Sequence, residues 1–168
     1  LFGELHVTTD KGETVIVTDT GWQCAPSPLT FGSIYDGERY EAALEIENWA
    51  APDCVYTGWK PVRVNTETKL GALTARLSLP VKAKHTIIPK RITTPKNELV
   101  LDLGQNITGW LTFTADLPAG TEVRVQVGEL LQDDCFYRDN LRTALAEYRY
   151  ISNGKKAFVR PIATFYGF

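Results

Sequence analysis

This sequence of 168 residues contains no methionine, only two histidines (His6 and His85) and three cysteines (Cys24, Cys54 and Cys135). Each scarcity removes a class of chemistry. There is no Cys-x-x-Cys pair, and two distant histidines leave little from which to build a zinc site. Three widely spaced cysteines would leave one thiol over in any disulfide framework. All three are therefore read as free, in a chain long enough to hold a core without staples. No Gly-x-Ser-x-Gly elbow is present, and neither histidine has a nucleophile at a recognisable spacing, which argues against a triad hydrolase. Walker loops and Gly-x-Gly-x-x-Gly fingerprints are also missing. No apolar run approaches the ~20 residues that span a bilayer. A net charge of −2 lacks the basic excess that nucleic acid or an anionic membrane attracts, so neither partner is expected. With no methionine and no signal peptide ahead of a strand-like start from Leu1 to His6, the expectation is a piece of a longer protein.

What is present is ordinary globular material, 43% apolar and 23% charged, arranged with a period of two. Leu5 and Val7, then Val15 and Val17, flank Asp10-Lys11-Gly12 as a hairpin. Leu44 and Ile46 alternate with Glu45 and Glu47, and Leu73, Ala75, Leu77 and Leu79 with Thr74, Arg76 and Ser78. Val123 to Val127 is the clearest strand, preceded by the turn residues Pro118-Ala119-Gly120. Tyr148 to Ile151 and Ala157 to Val159 are expected to face each other across Asn153-Gly154. One helix is expected, from Arg138 to Tyr148, where Leu141, Leu145 and Tyr148 share a face. The fold class that follows is all-β, an antiparallel two-sheet jelly-roll β-sandwich, with 1–168 as a single domain.

The densest local signal is Leu101 to Trp110. It sets two amides, Gln105 and Asn106, between Gly104 and Gly109, with apolar alternation on either side. That reads as strand, tight polar corner, strand, where amides can satisfy the turn or take a ligand. Function is expected in the loops at the rim of the sandwich. The loop-rich stretches 22–40, 48–61 and 128–140 hold Trp22, Trp49 and Trp59 together with Asp36, Glu38, Asp53, Glu129, Asp133, Asp134 and Asp139. Aromatic faces beside carboxylates and amides suit a sugar, whose C–H face stacks while its hydroxyls are hydrogen-bonded. Taken singly, each of these tryptophans is better read as a plug at the end of the core.

Five segments resemble bacterial α-L-rhamnosidases, members of glycoside hydrolase family 78. Ser33-Ile-Tyr-Asp-Gly-Glu-Arg-Tyr-Glu-Ala42 is similar to their Ile-Tyr-Asp-Gly-Glu-x-Tyr-Asp-Ala segment, with Glu41 where the family has aspartate. Leu101 to Trp110 resembles their Asp-Phe-Gly-Gln-Asn-x-x-Gly corner, and Gly58-Trp59-Lys60-Pro61-Val62 their Gly-Trp-x-Pro-Val/Ala. The stretch from Glu129 through Tyr137 to Leu141-Arg142-x-Ala144 has the family's order and spacing. Pro161-x-x-Thr164-Phe165-x-Gly167-Phe168 resembles the closing Pro-x-Phe-x-x-His-Gly-Phe. The matches run from about Gly21 to the last residue.

This resemblance implies a non-catalytic jelly-roll region on the N-terminal side of an (α/α)6 catalytic barrel, which supplies the general acid and base of an inverting hydrolysis. The fragment alone is then expected to be inactive. The resemblance further implies a rhamnose-containing glycan as partner, the barrel of the same polypeptide as a second, and a periplasmic or extracellular location. Some members hold L-rhamnose in this sandwich through calcium, carried by an adjacent acid and amide and by a proline carbonyl. The residues that match are Asp36 for the acid, Pro89 for the carbonyl and Trp59 for the aromatic wall, while Gly37 stands where the amide is expected. The carbohydrate-binding candidates are thus Asp36, Glu38, Trp59, Gln105 and Asn106, and the calcium candidates Asp36 and Pro89. The alternative role is structural: packing on the barrel and shaping the rim of its active site.

Overall fold

The computed structural model describes residues 3–65, 67, 71–72, 74 and 77–168. Strand accounts for 38% of the chain and helix for 4%, so the all-β expectation holds. The helical content lies in two 3-10 turns, Ala42–Leu44 and Asp139–Leu141. No helix among the described residues is long and apolar enough to cross a membrane.

The chain divides into two compact units, Leu1–Pro26 with Ile46–Leu79 and Ser27–Glu45 with Pro80–Phe168. In the first, Glu4–Thr9 and Gly12–Val17 form the expected hairpin, with Leu5 opposite Ile16 and His6 opposite Val15. Gln23–Cys24 pairs antiparallel with Lys60–Pro61. Trp22 and Trp49 are exposed in this unit, the Trp22 indole donating to the Val17 carbonyl at 2.9 Å.

The second unit holds a four-stranded sheet in the order Glu122–Gln126, Glu147–Ile151, Gly37–Glu41, Leu29–Ser33. Its outer pairs are antiparallel, but Gly37–Glu41 and Glu147–Ile151 run parallel. The parallel pair is buried as such pairs usually are. Tyr150 is 2% exposed. It stacks on Tyr40 with ring centroids 6.2 Å apart and meets Phe113 edge-on at 6.3 Å. Ala42, Ala115, Tyr148 and Val159 complete this core, with Val123 and Val125 packed on it. Aromatic burial on one sheet face supplies the main cohesive term.

Four local expectations are corrected. Arg138 to Tyr148 is not a helix: only Asp139–Leu141 turns, and Glu147–Ile151 is a central strand. The apolar spacing was compatible with either period, and ladder pairing on both sides decided for the strand. Leu44 to Glu47 is likewise not a strand, because Ala42–Leu44 winds into a 3-10 turn closed by the Glu45 amide on the Ala42 carbonyl. Ala157–Val159 pairs with Phe113–Ala115 rather than with Tyr148–Ile151. Of the alternating stretch from Leu73 to Leu79, Leu73, Ala75 and Arg76 lie outside the described residues, and Leu77 and Leu79 are exposed and in no strand.

Candidate functional site: the Asp36 turn and the Gln105–Asn106 corner

Ile34 to Asp36 turn the chain between two strands of the second unit. The Ser33 hydroxyl oxygen accepts from the backbone amides of Tyr35 at 3.2 Å and Asp36 at 3.1 Å, the local bonding that favours serine in turns. The Asp36 carboxylate accepts from the Ser33 hydroxyl at 3.4 Å and from the Leu145 amide at 3.3 Å. Asp36 thus ties its own turn to the segment that leads into the Glu147 strand.

Two residues on, Glu38 is 2% exposed. One carboxylate oxygen accepts from the Ile162 amide at 2.9 Å. The other accepts from the amides of Ala163 at 2.7 Å and Thr164 at 2.5 Å, and from the Thr164 hydroxyl at 2.8 Å. A buried carboxylate with both oxygens committed to backbone donors satisfies a loop, and it has little capacity left for sugar hydroxyls.

Glu147, 4% exposed, is held by three side chains that sequence reading missed. It accepts from Arg124 Nε at 2.7 Å, Arg149 Nε at 2.6 Å and Gln126 Nε2 at 3.1 Å. Burial works against its ionisation, yet the two guanidinium groups and the amide outweigh burial and hold the carboxyl below the ordinary range. The signal was available. Glu147-x-Arg149 places both side chains on one face of a strand, and their cross-strand partners are Gln126 and Arg124. Nearby, the Arg138 guanidinium donates to the carbonyls of Val127, at 3.0 Å, and Leu145. Burial lowers its pKa.

The amide corner occupies a different place. Gly104 adopts φ +73°, and its amide donates to Asp102 Oδ1 at 2.8 Å, so an aspartate turn carries the bend. Gln105 and Asn106 stand exposed beyond it, their side chains without a protein partner among the described residues. Phe168 and Ile107 then exchange both backbone hydrogen bonds. The corner and Pro89 line a cleft of about 1830 Å³ together with His85, Trp110 and Arg160. Asp36 and Glu38 do not line it.

Trp59 lies in the first unit, edge-on to Tyr56 at 5.6 Å. Within the second unit the sequence candidates fall into two places, the Asp36–Glu38 turn and the cleft with Pro89, Gln105 and Asn106. As a calcium set, Asp36 offers one carboxylate whose oxygens already accept hydrogen bonds. Gly37 offers no side-chain oxygen, and Pro89 lines a cleft that Asp36 does not. These donors fall short of the six to eight oxygens that calcium takes.

Strand content and sheet pairing place the protein in the all-β class. Residues 1–85 match the profile of the α-L-rhamnosidase N-terminal domain, and residues 92–168 that of the bacterial α-L-rhamnosidase concanavalin-like domain. An α-L-rhamnosidase of Alteromonas sp. (strain LOR) is 30% identical over 98% of this chain and 18% of its own length. The solved structure of Streptomyces avermitilis α-L-rhamnosidase complexed with L-rhamnose superposes with a TM-score of 0.90, at 30% identity, over 99% of this chain and 17% of that one. The Aspergillus terreus enzyme follows with a TM-score of 0.82 and 25% identity, over 99% of this chain and 20% of that one. The chain belongs to the bacterial α-L-rhamnosidase family. It spans about a fifth of the length of these relatives.

Proposed function

We propose that this chain is a non-catalytic accessory region of an α-L-rhamnosidase, in which it packs on the catalytic part of the same polypeptide. The observation that carries the reading is the condition of its two buried glutamates. Glu38 and Glu147 are committed to backbone amides and to arginines that hold the sheet and the 161–164 loop. Inverting hydrolysis needs one carboxyl free to protonate a leaving group and another to activate water, ~6.5–9.5 Å apart across a sugar. Neither glutamate is available for such work.

The test is turnover. The purified chain incubated with an aryl α-L-rhamnoside should release no phenol above a buffer blank. Hydrolysis that survives repurification and tracks with the protein would overturn the reading.

A second role, binding a rhamnose-containing glycan, is favoured by the Gln105–Asn106 corner. Two amides without a protein partner among the described residues line one cleft with Trp110, His85 and Arg160, which offers donors, acceptors and an aromatic ring. The Asp36 turn serves this role less well, because its carboxylate is already engaged by the Ser33 hydroxyl and the Leu145 amide.

A further inference from the structure

The cleft of the second unit is larger than one sugar ring needs, and it carries charge that a neutral sugar does not use. Small-molecule sites enclose roughly 300–1,000 Å³, whereas this cleft measures about 1830 Å³. It has room for several linked sugars. Lys82, Lys84 and Arg160 line it, and all three are exposed. None of them has an ion pair or a side-chain hydrogen bond among the described residues. The carboxylates of the lining are in a different condition. Glu98 accepts from the Thr94 hydroxyl at 2.7 Å and from the Phe136 amide at 3.1 Å. Asp102 accepts from the Gly104 amide at 2.8 Å, and Glu129 from Asn140 Nδ2 at 3.2 Å. Arg124, also in the lining, is paired with Glu147 at 2.7 Å. The ionic contacts left for a ligand are therefore two ammonium groups and a guanidinium. This is a local feature, since the chain as a whole carries a net charge of −2.

We infer that the cleft binds a rhamnose-containing oligosaccharide that bears anionic groups, either uronate carboxylates or sulfate esters. Lys82, Lys84 and Arg160 take the charge, while Gln105 and Asn106 take neutral hydroxyls. The inference rests on the sugar reading of the same cleft and adds to it the charge of the glycan. A guanidinium offers parallel N–H donors to two oxygens of one acidic group, and a lysine is a point charge whose flexible stem follows its partner. Exposed cations of this kind attract through solvent rather than by tight pairing, so the preference for acidic sugars should weaken in salt. Trp110, Phe158 and Phe168 line the cleft as well and offer faces on which sugar rings stack. Aromatic rings and amides interleaved with unpaired cations favour an acidic glycan over a bare polyanion, which would use the cations alone.

Titration calorimetry in low salt tests it. The ligands are an oligosaccharide alternating rhamnose with galacturonic acid, the same compound with its carboxyls reduced to alcohols, and a rhamnose oligosaccharide carrying sulfate esters. At least one charged ligand should bind ~10-fold more tightly than the reduced one, and the gap should shrink to ~3-fold or less in about 0.5 M NaCl. Which charged ligand gains identifies the acidic group. Lys82→Gln with Lys84→Gln, and separately Arg160→Gln, should each lower the ratio of charged to reduced affinity by about threefold. All three side chains are exposed, so the variants should keep the wild-type urea midpoint. Equal affinity for charged and reduced ligands overturns the inference and leaves the sugar reading standing. A ratio unmoved by every variant overturns it too. An oligogalacturonate without rhamnose that binds as well as the alternating ligand makes the cleft a general polyanion surface and overturns it. No heat from any ligand overturns the inference and the sugar reading together.

Discussion

A Cβ placed on Gly37 would stand 1.7 Å from the carbonyl oxygen of Glu147. Gly37 opens its strand at φ +106°, a conformation that side chains rarely adopt, and it pairs with Glu147 at the start of the two parallel strands. The position at which the family resemblance leads one to expect a calcium-binding amide is therefore filled by a close approach of backbone to backbone. Gly37→Asn should accordingly cost about 3 kcal/mol or more, and Gly37→Ala a similar amount, since the clash begins at Cβ. Urea unfolding measures both. A Gly37→Asn protein with an unchanged midpoint would show that the strands do not approach so closely.

Glu38 is the anchor of the 161–164 loop, and its removal should leave three amides and a hydroxyl without their acceptor. Glu38→Ala is expected to cost on the order of 3 kcal/mol. Glu38→Gln should cost less, because one oxygen still serves the loop. Amide hydrogen exchange at Ile162, Ala163 and Thr164 should accelerate in the same order. Unchanged exchange at these three amides in Glu38→Ala would remove the anchor role.

Acid sensitivity should come in part from Glu147. Burial opposes its charge, but Arg124, Arg149 and Gln126 together hold its carboxyl below the ordinary glutamate value of 4.5. A folded-state value lower than the unfolded one gives stability that is complete above the unfolded range and is lost as pH falls through the folded value. The loss therefore lies below about pH 4.5. The carboxyl of Glu98, lowered by the Thr94 hydroxyl and the Phe136 amide, acts in the same direction. Urea midpoints measured from pH 6 to pH 3 should fall less steeply in Glu147→Gln than in the wild type. Parallel profiles would assign the acid loss elsewhere.

Sugar binding at the amide corner is tested by titration calorimetry with L-rhamnose. A monosaccharide buries little area, so affinity on the order of 0.1–1 mM is expected. Asn106→Ala should weaken it about fivefold through lost neutral hydrogen bonds, whereas Trp59→Ala should leave it unchanged. Chelator should have no effect, given the few oxygen donors around Asp36. Loss of binding in EDTA would restore the calcium reading, and no heat at millimolar sugar would leave the structural role alone.

Much of this protein is legible locally. The hairpin around Asp10-Lys11-Gly12 and the strand from Val123 follow from alternation between turn residues, because neighbours in sequence are neighbours in the ladder. The same rule misled at Asn153-Gly154. There the turn is real, but Tyr148 and Tyr150 are claimed by partners distant in sequence, Val125 and Val123 on one side and Glu38 and Tyr40 on the other. Alternation gives a strand its two faces without naming its neighbours. The expected helix at Arg138 failed for the same reason, since pairing on both edges of Glu147–Ile151 outweighed an ambiguous apolar spacing.

By itself the sequence determined the all-β class, the family and the position of its polar corner, because these depend on residue type, order and short-range turn chemistry. Only the tertiary structure decided which polar residues are committed. Glu38 and Asp36 sit two residues apart in one motif, yet one is buried under the 162–164 amides and the other ties a turn to the Leu145 amide. Gln105 and Asn106 are exposed, line a cleft and have no side-chain partner among the described residues. A carboxylate's availability depends on which backbone donors the fold brings to it. Those donors come from more than a hundred residues away, a separation over which no local pattern carries information.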